Sequence, residues 1–173
     1  MIADIAKNLG ALKLRENMLV ADLGAGSGFY TIPLARILAN GKVYAVEVQK
    51  DFLETIKNKA EEEHLENIEY IWGNVEKLGG TKLKDGILDK VIASNIFFQI
   101  EDKENFIKEI KRILKPGGQL LLIDWADSSS PFITSGHKIV SKEEEKRMFL
   151  ELGFEYFEEI STMDHHYGII FNK

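Results

Sequence analysis

The sequence predicts an α/β fold in which short apolar strands alternate with amphipathic helices. Apolar runs of strand length recur at 42–47, 68–72 and 88–94, and apolar residues at helical spacing occupy segments between them. A glycine-rich turn joins another apolar run, 20–23, to the helical pattern that follows it. One domain over residues 1–173 accommodates this pattern, because a chain of 173 residues can bury a sizeable core.

The composition is that of an ordinary globular protein, with 45% hydrophobic and 29% charged residues. A formal net charge of −6 argues against a surface that follows nucleic-acid phosphates, so we expect no nucleic-acid partner. The absence of cysteine excludes disulfides and thiolate metal sites. Residues 1–7 lack the features of a signal peptide, and no apolar run approaches the roughly 18 residues of a membrane span. We therefore expect a cytoplasmic protein without a membrane partner.

The remaining elements follow in order along the chain. Residues 1–17 predict a short amphipathic helix, over 2–12, and a connection to the first strand. Residues 77–86 are polar and predict a loop or a short helix. Ser141 and Glu144 have the spacing of a capping box and predict a helix start. Further helices are expected at 50–63, 101–114 and 141–152, and two closing strands at 154–160 and 167–171.

The glycine-rich turn carries glycines at alternate positions, Gly24, Gly26 and Gly28, after Asp22 at the end of the apolar run. Such a turn lets the backbone adopt positive φ and lets a ligand lie against it. The dinucleotide fingerprint G-x-G-x-x-G is not present, because Phe29 occupies the place of its third glycine and would crowd a pyrophosphate. An ordinary glycine-rich turn without a ligand is the alternative.

The segment from Val20 to Gly28 resembles the first motif of the class I S-adenosylmethionine-dependent methyltransferases. A second resemblance lies about 90 residues further on, where Pro116, Gly117 and Gly118 separate a helical pattern from an apolar strand. The resemblance implies a three-layer Rossmann-like sandwich with a seven-stranded, mostly parallel sheet whose last strand is antiparallel. It also implies S-adenosyl-L-methionine as the cofactor and S-adenosyl-L-homocysteine as the product.

Glu47 closes the second predicted strand, 19 residues after Gly28, where a carboxylate can accept hydrogen bonds from ribose hydroxyls. A solvent-facing carboxylate is the alternative for Glu47. At Asn74 the family often has an acidic residue that binds the adenine amino group, and a turn asparagine is the alternative there. The cofactor-binding residues that the resemblance implies are Asp22, Gly24, Ala25, Gly26, Gly28, Tyr30, Glu47, Val48, Asn74, Val75, Ser94 and Asn95.

The resemblance also implies which part of the cofactor each of these residues contacts. The glycines approach the amino-acid part and the ribose, and Asp22 orients the turn or the cofactor ammonium group. Asn74 and Val75 border the adenine. Ser94 and Asn95 line the sulfonium side.

Residues 126–140 predict a loop on the acceptor side of the site. Methyl transfer from a sulfonium needs orientation and desolvation, and it needs neither a nucleophile nor a metal. If the acceptor loses a proton, His137 and Asp124 are the candidate bases by position. His165 and His166 are weaker candidates, and as neighbours in a strand they face opposite ways and make a poor metal pair.

The function that this sequence predicts is methyl transfer to a small-molecule acceptor. Arsenite is disfavoured as the acceptor because its handling relies on thiolates, and the chain has no cysteine. Methyltransferases that act on nucleic-acid bases tend to have Asn/Asp-Pro-Pro-aromatic where this chain has Asn95-Ile96-Phe97-Phe98. Protein or RNA methylation, a catalytically inactive cofactor-binding partner and a nucleotide-dependent dehydrogenase are the alternatives. The sequence predicts no oligomeric state.

Overall fold

The computed structural model describes residues 2–126, 140–162 and 165–173. Its strands are β1 Leu19–Leu23, β2 Lys42–Glu47, β3 Ile68–Trp72, β4 Leu88–Ser94, β5 Leu114–Trp125, β6 Glu155–Ile160 and β7 His166–Asn172. Its helices are α1 Ile2–Ala11, α2 Thr31–Ile37, α3 Lys50–Glu62, α4 Lys103–Ile113 and α5 Lys142–Glu151, with a 3-10 turn at Phe97–Gln99. Within these described ranges, no helix has the length and apolarity required to cross a membrane.

The seven strands form one sheet in the order β3-β2-β1-β4-β5-β7-β6. β1, β2, β3, β4 and β5 pair in parallel, and β7 is antiparallel to both β5 and β6. From β1 the chain moves outward through β2 to β3 and then returns to place β4 on the other side of β1. This reversal creates a topological switch point between β1 and β4, where open α/β sheets bind ligands. The predicted fold class is confirmed.

Alternate residues of the central strands face two hydrophobic layers. Leu120 and Leu122 of β5 pack with α4 and α5, whereas Leu121 and Ile123 pack with α1 and α2. A third apolar cluster packs α3 against β2 and α2, on the same face of the sheet as α1 and α2. The helices therefore cover both faces of the sheet and leave the carboxyl ends of the parallel strands available for a site.

The predicted boundaries match the structure most closely for the buried strands, since 42–47, 68–72 and 88–94 are β2, β3 and β4. The capping box is confirmed, because the Ser141 hydroxyl accepts a hydrogen bond from the Glu144 backbone N–H at 3.2 Å. Residues 77–86 form turns and no regular helix. The central part of the predicted acceptor-side loop, 127–139, lies outside the described residues.

The Pro-Gly-Gly segment was predicted to end a helix before the next strand, but the structure places it inside β5. Leu114 directly follows α4 and already pairs with Leu88, and the next paired residues are Gln119 and Lys90. Residues 115–118 therefore bulge out of β5, with Gly117 at φ +75°. Helix α4 already ends at its C-cap, Leu114, which has an extended backbone. The glycines therefore lie in a bulge of β5 and do not end the helix.

Candidate functional site

A cavity of about 900 Å³ opens at the carboxyl ends of the parallel strands, around the switch point between β1 and β4. All but one of the predicted cofactor-binding residues line it. These are Asp22, Gly24, Ala25, Gly26, Tyr30, Glu47, Val48, Asn74, Val75, Ser94 and Asn95. The fold thus brings together residues from four strand ends that are far apart in the sequence.

The turn after β1 is fixed against the end of β2. The backbone N–H groups of Gly24 and Ala25 both donate to the Val46 carbonyl oxygen, at 2.9 and 3.2 Å. Gly26 has φ +50°, and a Cβ built on it would meet nothing closer than the Gly24 carbonyl oxygen at 3.9 Å. The backbone at Gly26 therefore leaves open space where a ligand can approach it closely.

Gly28 does not line the cavity, and its role as a cofactor contact stays a prediction. A Cβ at this position would lie 3.1 Å from the Ile56 side chain. Gly28 also has φ +86°, which favours glycine. Its missing side chain lets the start of α2 pack closely against α3.

Glu47 is buried at the end of β2 and organises the backbone around it. Its Oε2 accepts a hydrogen bond from the Gly26 N–H at 3.0 Å. Its Oε1 accepts from the N–H groups of Val48 and Gln49 at 2.8 and 3.0 Å. Because a carboxylate has about four lone-pair sites, it can still accept from a ligand hydroxyl. Glu47 is therefore not the solvent-facing carboxylate of the alternative interpretation.

Asp22 is buried at the end of β1, where its Oδ2 accepts a hydrogen bond from the Thr31 hydroxyl at 2.6 Å. Burial raises the pKa of the Asp22 carboxyl to about 6. The hydrogen bonds from Thr31 lower this pKa, and the nearby charge of Glu47 raises it. Asp22 therefore joins β1 to the first turn of α2 and places a carboxyl group beside the cavity.

Asn74 lies after β3 and is exposed. Its Oδ1 accepts a hydrogen bond from the Glu76 backbone N–H at 2.8 Å, which is the geometry of a turn asparagine. The turn holds Asn74 and the buried Val75 at the cavity edge next to the end of β2.

Ser94 and Asn95 line the cavity where β4 ends. Asn95 has φ +55°, and its backbone N–H donates to the Ile123 carbonyl oxygen at 2.8 Å, which ties it to β5. Its Oδ1 is buried and has no hydrogen-bond partner among the residues that the structure describes. The wall of the cavity on this side therefore includes a residue whose carbonyl oxygen has unused capacity to accept a hydrogen bond.

Trp125 and His166 form a wall of the cavity. The sequence analysis named His166 only as a weaker candidate base and did not predict this wall. They end β5 and begin β7, and their ring centroids lie 3.9 Å apart. The two residues are cross-strand partners, so their contact depends on the antiparallel pairing of β5 with β7. Their separation by 41 residues in the sequence gave no local signal of this contact.

Asp124 does not line the cavity, and its role as a base stays a prediction. Its oxygens accept hydrogen bonds from the N–H groups of Phe98 and Trp125, at 3.1 and 2.8 Å. Burial raises the pKa of Asp124 to about 6, although these N–H groups lower it. The carboxyl of Asp124 thus supports the 3-10 turn below the cavity. The other candidate base, His137, lies outside the described residues.

The charged side chains that line the cavity within the described ranges are Asp22, Glu47 and Glu76, and no lysine or arginine is among them. This set of charges favours a ligand that carries positive charge. Among these same residues no cluster of three or more histidine and carboxylate side chains could hold a metal ion.

Comparison with known proteins shows which family this chain belongs to. The methyltransferase domain family matches residues 14–170. A demethylmenaquinone methyltransferase from Lactococcus lactis is 30% identical over 141 residues, which are 81% of this chain and 54% of that protein. An arsenite methyltransferase from Aquipseudomonas alcaligenes is 32% identical over 122 residues, 67% of this chain and 35% of that protein. The chain thus spans about half or less of the length of these curated relatives.

Among solved structures, a SAM-dependent methyltransferase from Aquifex aeolicus superposes with a TM-score of 0.86 and 26% sequence identity. The match covers 98% of this chain and 89% of that one. The family match, the strand order and the position of the cavity agree with one another. The chain belongs to the methyltransferase domain family, the class I S-adenosylmethionine-dependent methyltransferases with a Rossmann-like fold.

Proposed function

We propose that this protein transfers a methyl group from S-adenosylmethionine to a small-molecule acceptor. The observation that carries the proposal is that one cavity is lined by two kinds of residues from different strands. The ends of β1, β2 and β3 provide the backbone turn and the polar groups for a nucleoside. The end of β5 and the start of β7 provide a separate wall of aromatic rings. When bound, S-adenosylmethionine supplies an electrophilic methyl carbon on a sulfonium that becomes a neutral thioether.

The residues of the first part fit this cofactor. Glu47 is held at the end of β2 with capacity to accept hydrogen bonds from ribose hydroxyls. Gly26 leaves space for a ligand chain against the backbone, and Val75 offers an apolar contact for the adenine. The carboxylates that line the cavity suit a ligand with a sulfonium and an ammonium group.

The second part of the cavity supports a planar, largely apolar acceptor. Trp125 and His166 offer ring faces, and Ile5 and Ile123 add apolar surface beside them. These residues would orient the acceptor and exclude water from the reacting atoms. The name of the Lactococcus relative indicates an acceptor of this kind, demethylmenaquinone. Arsenite remains disfavoured because the chain has no cysteine.

A thermal-shift comparison with S-adenosylmethionine, S-adenosylhomocysteine and NAD tests the cofactor assignment. A ligand at about 100 times its Kd adds about 2.7 kcal/mol to the free energy of unfolding. We expect this to raise the Tm by about 5–10 °C for the two sulfur ligands and not for NAD. A shift with NAD alone would contradict the proposal.

The acceptor is tested by incubating the protein with S-adenosylmethionine and a series of small quinols and phenols, and by measuring S-adenosylhomocysteine. His166→Asn should reduce turnover at least tenfold, because it removes one ring of the wall. His165→Asn is the matched control, since His165 is exposed and does not line the cavity. Binding of the cofactor without any turnover would favour the inactive-partner alternative.

A further inference from the structure

Asn8 is a polar residue on the apolar side of α1. Ile5, Leu9 and Leu12 are buried on that side and pack against the sheet. Asn8 is only 3% exposed, and it lines the cavity together with Ile5. Burial of an amide side chain is unfavourable unless its polar atoms are satisfied, so a residue of this type at this position requires an explanation.

The amide of Asn8 is held in one orientation by Tyr30. Its Nδ2 donates a hydrogen bond to the Tyr30 hydroxyl oxygen at 2.9 Å, and both groups are buried. This contact directs the NH2 group toward Tyr30 and leaves Oδ1 as the other end of the amide. Oδ1 is buried and accepts no hydrogen bond within the described part of the chain. Because Asn8 itself lines the cavity, this oriented and unsatisfied oxygen belongs to the cavity wall, beside the space of a bound ligand.

The strand order indicates which part of the cofactor Asn8 would meet. Glu47 on β2 and Val75 after β3 mark the nucleoside side of the cavity. Trp125 on β5 marks the acceptor side. Tyr30 follows the turn after β1, between these two sides, and Asn8 contacts Tyr30. An extended cofactor with its nucleoside over β2 and β3 would bring its amino-acid end to this central region.

The chemistry of Asn8 Oδ1 selects between the two charged groups of that amino-acid end. A carbonyl oxygen accepts hydrogen bonds and cannot donate them, so it suits the ammonium group and not the carboxylate. Asp22 also lines the cavity beside the turn after β1, and its carboxylate adds attraction for a cation.

We propose that Asn8 Oδ1 accepts a hydrogen bond from the ammonium group of bound S-adenosylmethionine, which makes α1 part of the cofactor site. This inference rests on the proposed function. Tyr30 acts as a positioning residue, because its hydroxyl fixes the orientation of the amide. No residue before Asp22 was predicted to bind the cofactor, but a lone asparagine on the apolar side of a helix is the signal that could have identified Asn8.

Calorimetric titration of the Asn8→Leu variant tests this proposal without measuring activity. Leucine has a similar size and keeps the apolar side of α1, but it removes the carbonyl oxygen. We expect the affinity for S-adenosylhomocysteine to fall about 10- to 100-fold, the range of a hydrogen bond to a charged group. The matched ligand is the deamino analogue of S-adenosylhomocysteine, in which hydrogen replaces the ammonium group. Its affinity should not change.

Asn8→Asp provides the rescue, because a carboxylate restores an acceptor beside the ammonium group. We expect Asn8→Asp to bind S-adenosylhomocysteine at least about tenfold more tightly than Asn8→Leu does. Equal losses for both ligands would overturn the proposal, since they would show a general change in the cavity. Unchanged affinity for both ligands would also overturn it. If the wild-type protein binds neither ligand, the proposed function fails, and this inference fails with it.

Discussion

Two regions of this protein bury carboxylates in opposite ways. Glu109 on α4 accepts hydrogen bonds from the Gly79 N–H, the Thr81 N–H, the Thr81 hydroxyl and two guanidinium nitrogens of Arg112. Asp22, beside the cavity, accepts hydrogen bonds from Thr31 alone among the described residues. The first region is completed by the chain itself, whereas the second leaves polar groups that a ligand can complete.

The pKa values of these two carboxyls follow from the same difference. Burial alone would raise the pKa of Glu109, but hydrogen bonds from Arg112, Thr81 and Gly79 outweigh it and lower the pKa to about 2. At Asp22 burial outweighs the hydrogen bonds from Thr31, and the pKa rises to about 6. Many hydrogen-bond donors thus lower the pKa of Glu109, whereas burial with donors from Thr31 alone raises the pKa of Asp22 beside the cavity.

The largest expected effect on stability is that of Glu109→Ala. It leaves the Arg112 guanidinium and the donors of Gly79 and Thr81 without their acceptor. We expect the free energy of unfolding at pH 7 to fall by about 3–5 kcal/mol, measured by urea titration. Because the folded-state pKa is lowered, the contribution of Glu109 is present above about pH 4.5 and is lost as the pH falls toward 2. A variant as stable as the wild type would contradict this account.

Gly26→Ala should have the largest effect on ligand affinity. A Cβ at Gly26 occupies space beside the cavity, so we expect S-adenosylhomocysteine to bind at least about 100-fold more weakly, or about 2.8 kcal/mol. Gly117→Ala is the matched control, because Gly117 also has positive φ and a Cβ built on it would meet nothing within 4 Å. Both variants should lose about 1 kcal/mol of stability from backbone strain. Equal affinities in calorimetry would show that Gly26 does not approach the ligand.

Asp22→Asn should change how stability depends on pH in the absence of ligand. The folded-state pKa of Asp22 is raised, so its ionisation destabilises the fold as the pH rises from about 4 to about 6. Asparagine removes this ionisation, and we expect the variant to gain about 1–3 kcal/mol relative to the wild type across this window. Asp124 and Glu145 also have raised pKa values, so the difference between the two proteins is the informative quantity. A constant difference from pH 4 to pH 7 would contradict the assignment.

The smallest expected effect compares two hydroxyl donors. Thr81→Val removes one of several donors to Glu109, and we expect a loss of about 1 kcal/mol in the free energy of unfolding. Thr31→Val removes the side-chain donor to Asp22 and leaves only the backbone contact there, so its loss should be larger. Urea titrations of both variants at pH 7 measure the comparison. A larger loss of unfolding free energy for Thr81→Val than for Thr31→Val would contradict the difference between the Glu109 and Asp22 regions.

Several site residues could be predicted because their position follows from local sequence. The glycine turn and Glu47 each end a strand, and the carboxyl ends of parallel strands meet at one edge of the sheet. Gly28 could not be separated from Gly26 in this way, because the neighbour that decides its role, Ile56, lies on another helix. The surroundings of Asp124 could not be predicted for a related reason, since its hydrogen-bond donor Phe98 is 26 residues away.

The sequence by itself determined the order of helices and strands and the residues of the turn after β1, and the resemblance of its motifs to a known family implied the fold class. The order of elements and the turn depend on apolar periodicity and on glycine conformation, which act over a few residues. Only the tertiary structure decided that Trp125 meets His166, that Asn8 reaches the cavity and that residues 115–118 form a bulge. Such contacts depend on strand pairing and helix packing between distant segments, and no local pattern in the sequence encodes which distant residue will be the partner.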